Sequence, residues 1–262
     1  MKFENVLYEV QNGILYLTLN RPEMRNALTP EMWRDISAAV HAAKLDDEVR
    51  VVIVTGAGDK ALASGADIQE LHDRYYMEQM VGTATTALRD LEELYKPVIC
   101  AINGYALGGG CELAQACDLR VATRRSKFGQ PEINLSIIPG AGGTQRLARL
   151  VGMGMAKQLV YSALNIKADE ALRIGLVNAV YTQEELMPAA LKLAGKIAKN
   201  APIAVRNCKK AINDGISLPI EKAVEVEEKL FGDCFETHDQ VEGMGCFLSR
   251  EKPKPKPVFT NN

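Results

Sequence analysis

Two glutamates stand beside glycine-rich turns in this chain. Glu112 comes two residues after Gly108-Gly109-Gly110, where a helix is expected to begin, and Glu132 lies in Phe128-Gly129-Gln130-Pro131-Glu132-Ile133. Ile133, Leu135, Ile137 and Ile138 surround the second acid with apolar sequence. A carboxyl group in such company is costly to ionise, so its pKa is open to upward tuning and it can exchange a proton near neutrality. The glycines supply the complement. Three in a row between a strand and a helix let a ligand touch the backbone and leave N–H groups at the helix start free to donate. Those donors and the helix dipole favour a phosphate or an oxyanion. Leu62-Ala63-Ser64-Gly65-Ala66-Asp67-Ile68 is a second segment of this kind, again following a strand and opening a helix. Structural alternatives are a glycine turn needed only for packing and acids held in buried pairs. Two acids, each next to an anion-stabilising turn, favour proton transfer over those alternatives.

Other chemistries lack their residues. A P-loop needs a lysine that the Gly108–Leu113 stretch does not carry, and Gly140-Ala141-Gly142-Gly143 lacks the last glycine of a dinucleotide fingerprint. There is no G-x-S-x-G for a nucleophilic serine. Six cysteines occur without a C-x-x-C pair, and His41, His72 and His238 are far apart, so no metal site is expected and the thiols are expected to be reduced. Lys and Arg total 31 against 33 Asp and Glu, a net charge of −2, which offers no basic excess for nucleic acid. Apolar residues make up 47% of the 262, enough for a large folded core, but the longest apolar runs are of strand length, so no membrane span is expected. Met1-Lys2-Phe3-Glu4-Asn5 has no apolar signal-peptide region, and the expected location is cytoplasmic.

The elements that must position these residues alternate in type. Val6–Val10 and Gly13–Asn20 read as strands around Gln11-Asn12-Gly13. Thr29-Pro30-Glu31 reads as a helix start: a capping threonine, a proline in the first turn and an acid at the positive helix end. Val51–Val54 and Val98–Ile102 read as buried parallel strands, with a helix over Gly82–Tyr95 between them, and Leu119–Ala122 as a third. Strand, helix, strand at this spacing is an α/β arrangement. Beyond Gly143 the pattern is helical: Thr144–Leu150, Met155–Ser162, Glu184–Lys199, Pro202–Asp214 and Leu218–Phe235. The last of these have more apolar positions than a lone tail can bury, so they are expected to pack on a neighbouring subunit. Lys252-Pro253-Lys254-Pro255-Lys256-Pro257 reads as a mobile polyproline-type tail.

Together with Ile138-Pro139-Gly140-Ala141-Gly142-Gly143-Thr144-Gln145-Arg146-Leu147, these segments resemble the crotonase (enoyl-CoA hydratase/isomerase) superfamily. The likeness runs from Leu19-Asn20-Arg21-Pro22 through Gly175-Leu176-Val177-Asn178 to Phe247 and is strongest to hydratases of short acyl chains. It implies a crotonase-like α/β spiral of ββα units over residues 1–200 that carries a CoA-thioester site. Over residues 201–262 it implies a helical segment that builds a homotrimer or a dimer of trimers. The implied reaction, in fatty-acid metabolism, is reversible syn addition of water to a short-chain trans-2-enoyl-CoA, giving the 3-hydroxyacyl-CoA.

By the same resemblance the N–H groups of Ala66 and Gly109 form the oxyanion hole. Glu112 and Glu132 are the acid/base pair, one acting on the water and the other delivering the α-proton. Gly140 holds the water, Ser64, Asp67 and Ile68 contact substrate, and Lys252 reaches the CoA 3′-phosphate. No metal or redox cofactor is implied, since CoA arrives within the substrate. Departures from the family pattern are Leu62-Ala63-Ser64 for Phe-Ala-Ala, Gln69 for Lys and Ser136 for Gly. An isomerase on the same fold, which manages with one acid, and a non-catalytic RNA-binding relative are the alternatives. The second acid disfavours the first and the −2 charge the second.

Overall fold

Consecutive residues of a strand face opposite sides of a sheet, so a run such as Val51–Val54 needs a covered surface on both. The computed structural model, which describes residues 3–72 and 74–260, supplies both covers. The run lies in a six-stranded sheet ordered β1 (Val6–Gln11), β2 (Ile14–Leu19), β3 (Val51–Gly56), β5 (Val98–Ile102), β7 (Leu119–Thr123) and β10 (Ala179–Tyr181). Val52 and Val54 join a core with Trp33, Leu88 and Leu113. Val51 and Ile53 join a separate core with Leu186, Ala190 and Ala194 of the helix α8 (Gln183–Ala198). β1 and β2 form a hairpin whose two turn residues, Asn12 and Gly13, both have positive φ, the geometry that matches the twist of its strands. From β2 to β10 all pairing in this sheet is parallel.

A smaller sheet completes each repeat. It comprises β4 (Ala61–Ala63), β6 (Tyr105–Leu107), β8 (Lys127–Gly129) and β9 (Ile166–Lys167), with the first three parallel and β9 antiparallel to β8. Each unit therefore sends one strand to the large sheet and the next to the small one. A helix then follows: α2 (Ile68–Leu71) and α3 (Arg74–Glu93) after β3–β4, α4 (Gly109–Ala116) after β5–β6, and α5 (Gly143–Val151) after β7–β8. Before these, α1 (Pro30–Leu45) starts where its cap residue places it, with Thr29 Oγ1 accepting from the Met32 N–H at 3.2 Å. After α5 come α6 (Met153–Ser162) and α7 (Ala168–Arg173). Thr182 and Glu185 close a reciprocal capping box at the start of α8.

The C-terminal helices are α9 (Pro202–Gly215), α10 (Ile220–Cys234) and α11 (His238–Leu248). α9 is fastened to the sheet by Lys209, whose Nζ donates to Asp118 Oδ2 at 2.8 Å, the oxygen that also accepts from the Val98 N–H at 2.7 Å. Ile212, Ile216, Ile220, Phe231, Phe247 and Leu248 on these helices are 66–74% exposed. Beyond residues 252–257, read from the sequence as a polyproline-type tail, the end of the chain is fastened to the fold. Arg50 Nη2 donates to the Phe259 carbonyl at 2.9 Å, and the Val258 and Thr260 N–H groups donate to Glu242 and Asp239 of α11 at 3.2 and 2.7 Å. The six cysteines are free, with Cys100, Cys111 and Cys117 buried.

Candidate active site

β4, β6 and β8 lie side by side and parallel, so their C-terminal ends release three turns into one place. These turns are Ser64-Gly65-Ala66, the Gly108–Glu112 stretch and Gln130-Pro131-Glu132. A cavity of ≈ 780 Å³ opens there, walled on its apolar side by Leu28, Trp33, Met80, Ala84 and Ile137.

Two backbone donors face this space. Ala66 bridges Leu28 through its neighbours: the Leu28 N–H donates to the Gly65 carbonyl and the Asp67 N–H to the Leu28 carbonyl, both at 2.9 Å. In a parallel bridge of that pattern the N–H of Ala66 itself points away from Leu28. Gly109 is the first residue of α4, where an N–H has no intrahelical acceptor. A Cβ built on Gly109 would lie 4.0 Å from the Ala66 nitrogen, so the two residues are neighbours. Neither N–H has an acceptor among the described residues.

Glu112 projects from the first turn of α4 and is 3% exposed. Its Oε1 accepts from the Ala141 N–H at 2.8 Å and from the Gly143 N–H, at the start of α5, at 2.7 Å. Both bonds fall on one oxygen, which leaves Oε2 for a water or a substrate atom. Burial raises the Glu112 pKa, while the two N–H groups and the Arg146 charge pull it back. A side chain at Gly143 would collide with this carboxylate, since a Cβ there would sit 2.8 Å from Oε1.

Glu132 opens a 3-10 turn over Glu132–Leu135. Burial pushes its pKa up to about 7, with its own backbone N–H opposing and the charge of Glu112 adding to the rise. The Gln130 amide is assigned in the orientation that donates to both carboxylate oxygens, at 2.9 and 3.2 Å, and accepts from Gln115 Nε2 at 3.1 Å. Gly108 has φ +50° and a Cβ there would meet Glu132 Oε1 at 3.0 Å, so only glycine suits that turn. Burial drives the Cys111 thiol up to about 12, which keeps it protonated beside the site and poor as a nucleophile.

Over residues 9–258 the chain matches the family described as enoyl-CoA hydratase/isomerase. The chain belongs to this family. It is 48% identical over 254 residues to the short-chain-enoyl-CoA hydratase of Clostridium acetobutylicum, covering 96% of this chain and 97% of that one. It is also 48% identical to the crotonyl-CoA hydratase of Syntrophomonas wolfei, covering 96% and 98%. The fold matches the crystal structure of enoyl-CoA hydratase from Bacillus anthracis with a TM-score of 0.95 and 38% identity over 99% of this chain and all of that one. The spiral of ββα units expected from the sequence is therefore the crotonase fold of the enoyl-CoA hydratase/isomerase family.

Within this family framework, seven of the residues singled out by sequence line the cavity: Ser64, Ala66, Ile68, Gly109, Glu112, Glu132 and Gly140. Two do not. Asp67 caps α2, accepting from the Gln69 N–H at 3.3 Å, with Arg21 at 3.8 Å. Lys252 is exposed in the tail beyond α11 and lies outside the cavity lining. The reading of the sequence missed Ala141 and Gly143 as partners of Glu112, because a backbone N–H leaves no mark on residue type. Gln130, two residues before a recognised acid, was findable as an amide within reach of it, and it is buried in the structure. Among the described residues no cluster of three His, Cys, Asp or Glu side chains could hold a metal, and no helix is long and apolar enough to cross a membrane.

Proposed function

We propose that this chain is an enoyl-CoA hydratase that adds water reversibly across the trans-2 double bond of a short-chain enoyl-CoA, in fatty-acid metabolism. One observation carries the reading: two glutamates held in unlike environments line one cavity together with the N–H groups of Ala66 and Gly109, which have no acceptor among the described residues. The two relatives at 48% identity support the substrate class.

In this reading the thioester carbonyl oxygen accepts from the Ala66 and Gly109 N–H groups. They are fixed before the reaction starts and favour the enolate-like transition state, in which that oxygen gains negative charge. Glu112, kept ionisable by two N–H donors and Arg146, takes a proton from a water held by the Gly140 N–H as the water oxygen bonds to Cβ. Glu132, whose pKa near 7 keeps about half of the molecules protonated at neutral pH, delivers that proton to Cα. Both acids act from the same side of the double bond, which makes the addition syn. The proton gained by Glu112 returns to Glu132 through solvent to close the cycle. CoA enters as part of the substrate, and these residues account for every proton moved.

An isomerase needs one acid, so two in one cavity favour hydration. The exposed apolar face of α9–α11 supports a homotrimer or a dimer of trimers. Six free thiols, with Cys208 exposed, support a reducing compartment, the cytoplasm. The test follows the loss of the conjugated thioester absorbance with crotonyl-CoA. Glu112→Gln and Glu132→Gln should each lower kcat by about 10²–10⁴-fold while binding of acyl-CoA is retained. Hydration within tenfold of the unsubstituted enzyme in either variant overturns that residue's role.

A further inference from the structure

Arg146 lines no part of the cavity, yet it is bonded to the loop that holds Glu112. From the first turn of α5 its side chain turns back over that helix's own start. Nη1 donates to the Ala141 carbonyl at 2.8 Å, while Nη2 and Nε face the Glu92 carboxylate, at the end of α3, at 2.7 and 3.4 Å. The Arg146 N–H also donates to the Gly142 carbonyl at 2.9 Å. The guanidinium and the loop are fitted to each other. Gly142 has φ +94°, and a Cβ on it would lie 2.4 Å from Nη1, so the arginine occupies the space that a side chain there would need.

Ala141 is thus gripped from two sides, its N–H by Glu112 and its carbonyl by Arg146. A shift of that residue away from Arg146 carries the N–H away from the carboxylate. We propose that Arg146, oriented by Glu92, is a positioning residue for the hydration reaction: it fixes the 141–143 loop so that the Ala141 and Gly143 N–H groups aim the Glu112 carboxylate at the water. The inference rests on the reading of Glu112 as the base.

A stabilising ion pair is the competing role, and the exposures separate the two. The Glu92 side chain is 45% exposed and that of Arg146 18%. Pairs so open to water contribute about 0–1 kcal/mol to folding. Loss of Arg146 is therefore expected to act on turnover far more than on stability. Four charged or titratable groups bear on Glu112 or its partner: Glu132 from the 3-10 turn, Cys111 from α4, Arg146 from α5 and, behind Arg146, Glu92 from α3. Cys111 stays neutral through the working range, so Arg146 is the cation whose removal disfavours the ionised Glu112.

Arg146→Met keeps the aliphatic stem and removes every donor and the charge. With crotonyl-CoA it should lower kcat about 10- to 100-fold, the scale of a small misplacement of a catalytic group, with KM within about threefold. The acid limb of the pH–rate profile should move to higher pH, because a carboxylate without its cation and its fixed donors ionises less readily. Arg146→Lys, which keeps a charge and can still donate to Ala141, should recover part of kcat and part of the shift. Glu92→Ala keeps the arginine and releases its far side; kcat should fall severalfold with the melting temperature nearly unchanged.

Wild-type kcat and an unmoved acid limb in Arg146→Met overturn the proposal. Should that variant fail to fold, wild-type kcat and profile in a folded Glu92→Ala overturn it equally. Glu112→Gln keeps the two readings apart. If it hydrates at the wild-type rate, the assignment of Glu112 falls and the role of Arg146 with it; if it is inactive while Arg146→Met is unaffected, only the positioning role falls.

Discussion

Gly109→Pro removes one oxyanion donor without altering any acid or base. Gly109 is the first residue of α4, the helix position where a missing N–H breaks no intrahelical bond and the fixed φ of proline fits. The change does add atoms: a Cβ there would approach Leu28 Cδ1 at 3.2 Å and Trp33 Cζ2 at 3.6 Å. Gly109→Ala brings the same Cβ and keeps the N–H, so it reports the packing effect of Cβ. The ratio between the two variants reports the loss of the donor together with the proline ring carbon that takes the hydrogen's place. A preorganised donor to an oxyanion typically contributes about 10²–10³ in kcat, or roughly 3–4 kcal/mol at about 1.4 kcal/mol per decade. Gly109→Ala is expected to lose less than tenfold, by displacing Leu28, and Gly109→Pro at least a further 10²–10³, with far-UV circular dichroism preserved in both. The assay is crotonyl-CoA hydration by absorbance, at saturating substrate. A folded proline variant within tenfold of the alanine variant would refute the claim that this N–H carries developing charge.

The pH dependence of hydration should show a fall as pH rises through about 7, where Glu132 loses the proton it must deliver; a flat rate from pH 6 to 9 counts against the assignment. The same group bears on stability. Its folded pKa is raised from 4.5 to about 7, so the stability it contributes is present below pH 4.5 and lost as pH climbs through 7. Glu132→Gln should then resist urea better than the unsubstituted protein at pH 8 and not at pH 4.5, by on the order of 2 kcal/mol once its partial exposure is allowed for. Ser136 ends the 3-10 turn with φ +60°, a left-handed conformation that disfavours side chains by about 1–2 kcal/mol. After the greater chain entropy of glycine is subtracted, Ser136→Gly should stabilise by about 0.5–1 kcal/mol, measured as a shift of urea midpoint at constant slope. Truncation after residue 200 removes Lys209 and strands the Asp118 carboxylate, so insoluble protein is expected, while the intact chain should run as a trimer or a multiple of one in light scattering. A soluble, active truncated monomer would contradict both expectations.

Five strands of the large sheet were legible because each is five or six residues of largely β-branched and apolar sequence, while β10, with three residues, was not. The small sheet was not, because β4, β6 and β8 are three residues each, too short for any period to register. Yet these strands set the catalytic geometry. Glu112 and Glu132 could be singled out from their neighbours in sequence, since an acid beside glycines and apolar residues is unusual chemistry. Their unlike environments could not, because the difference comes from N–H groups of Ala141 and Gly143 more than twenty-five residues from Glu112. Asp67 has a structural role that was also open to reading. Asp67-Ile68-Gln69-Glu70 has the spacing of a helix start, and the capping role was the plainer reading of an aspartate there.

The grip on Glu112 also sets an order on how the protein can be made. A chain that has emerged from the ribosome only through β8 already contains Ala66, Gly109 and both turns, so the oxyanion donors and the carboxylate could in principle come together. The partners of that carboxylate, however, lie at positions 141 and 143, and their clamp at 146. Until those residues arrive, packing α4 against its strands would bury an acid with nothing to accept from, a penalty of several kcal/mol that favours leaving α4 undocked or Glu112 protonated. The last piece of this cradle to be synthesised is therefore the piece that permits the first to settle, and α4 should dock in one step once residues through about 146 have emerged, ahead of the activity that awaits the complete fold.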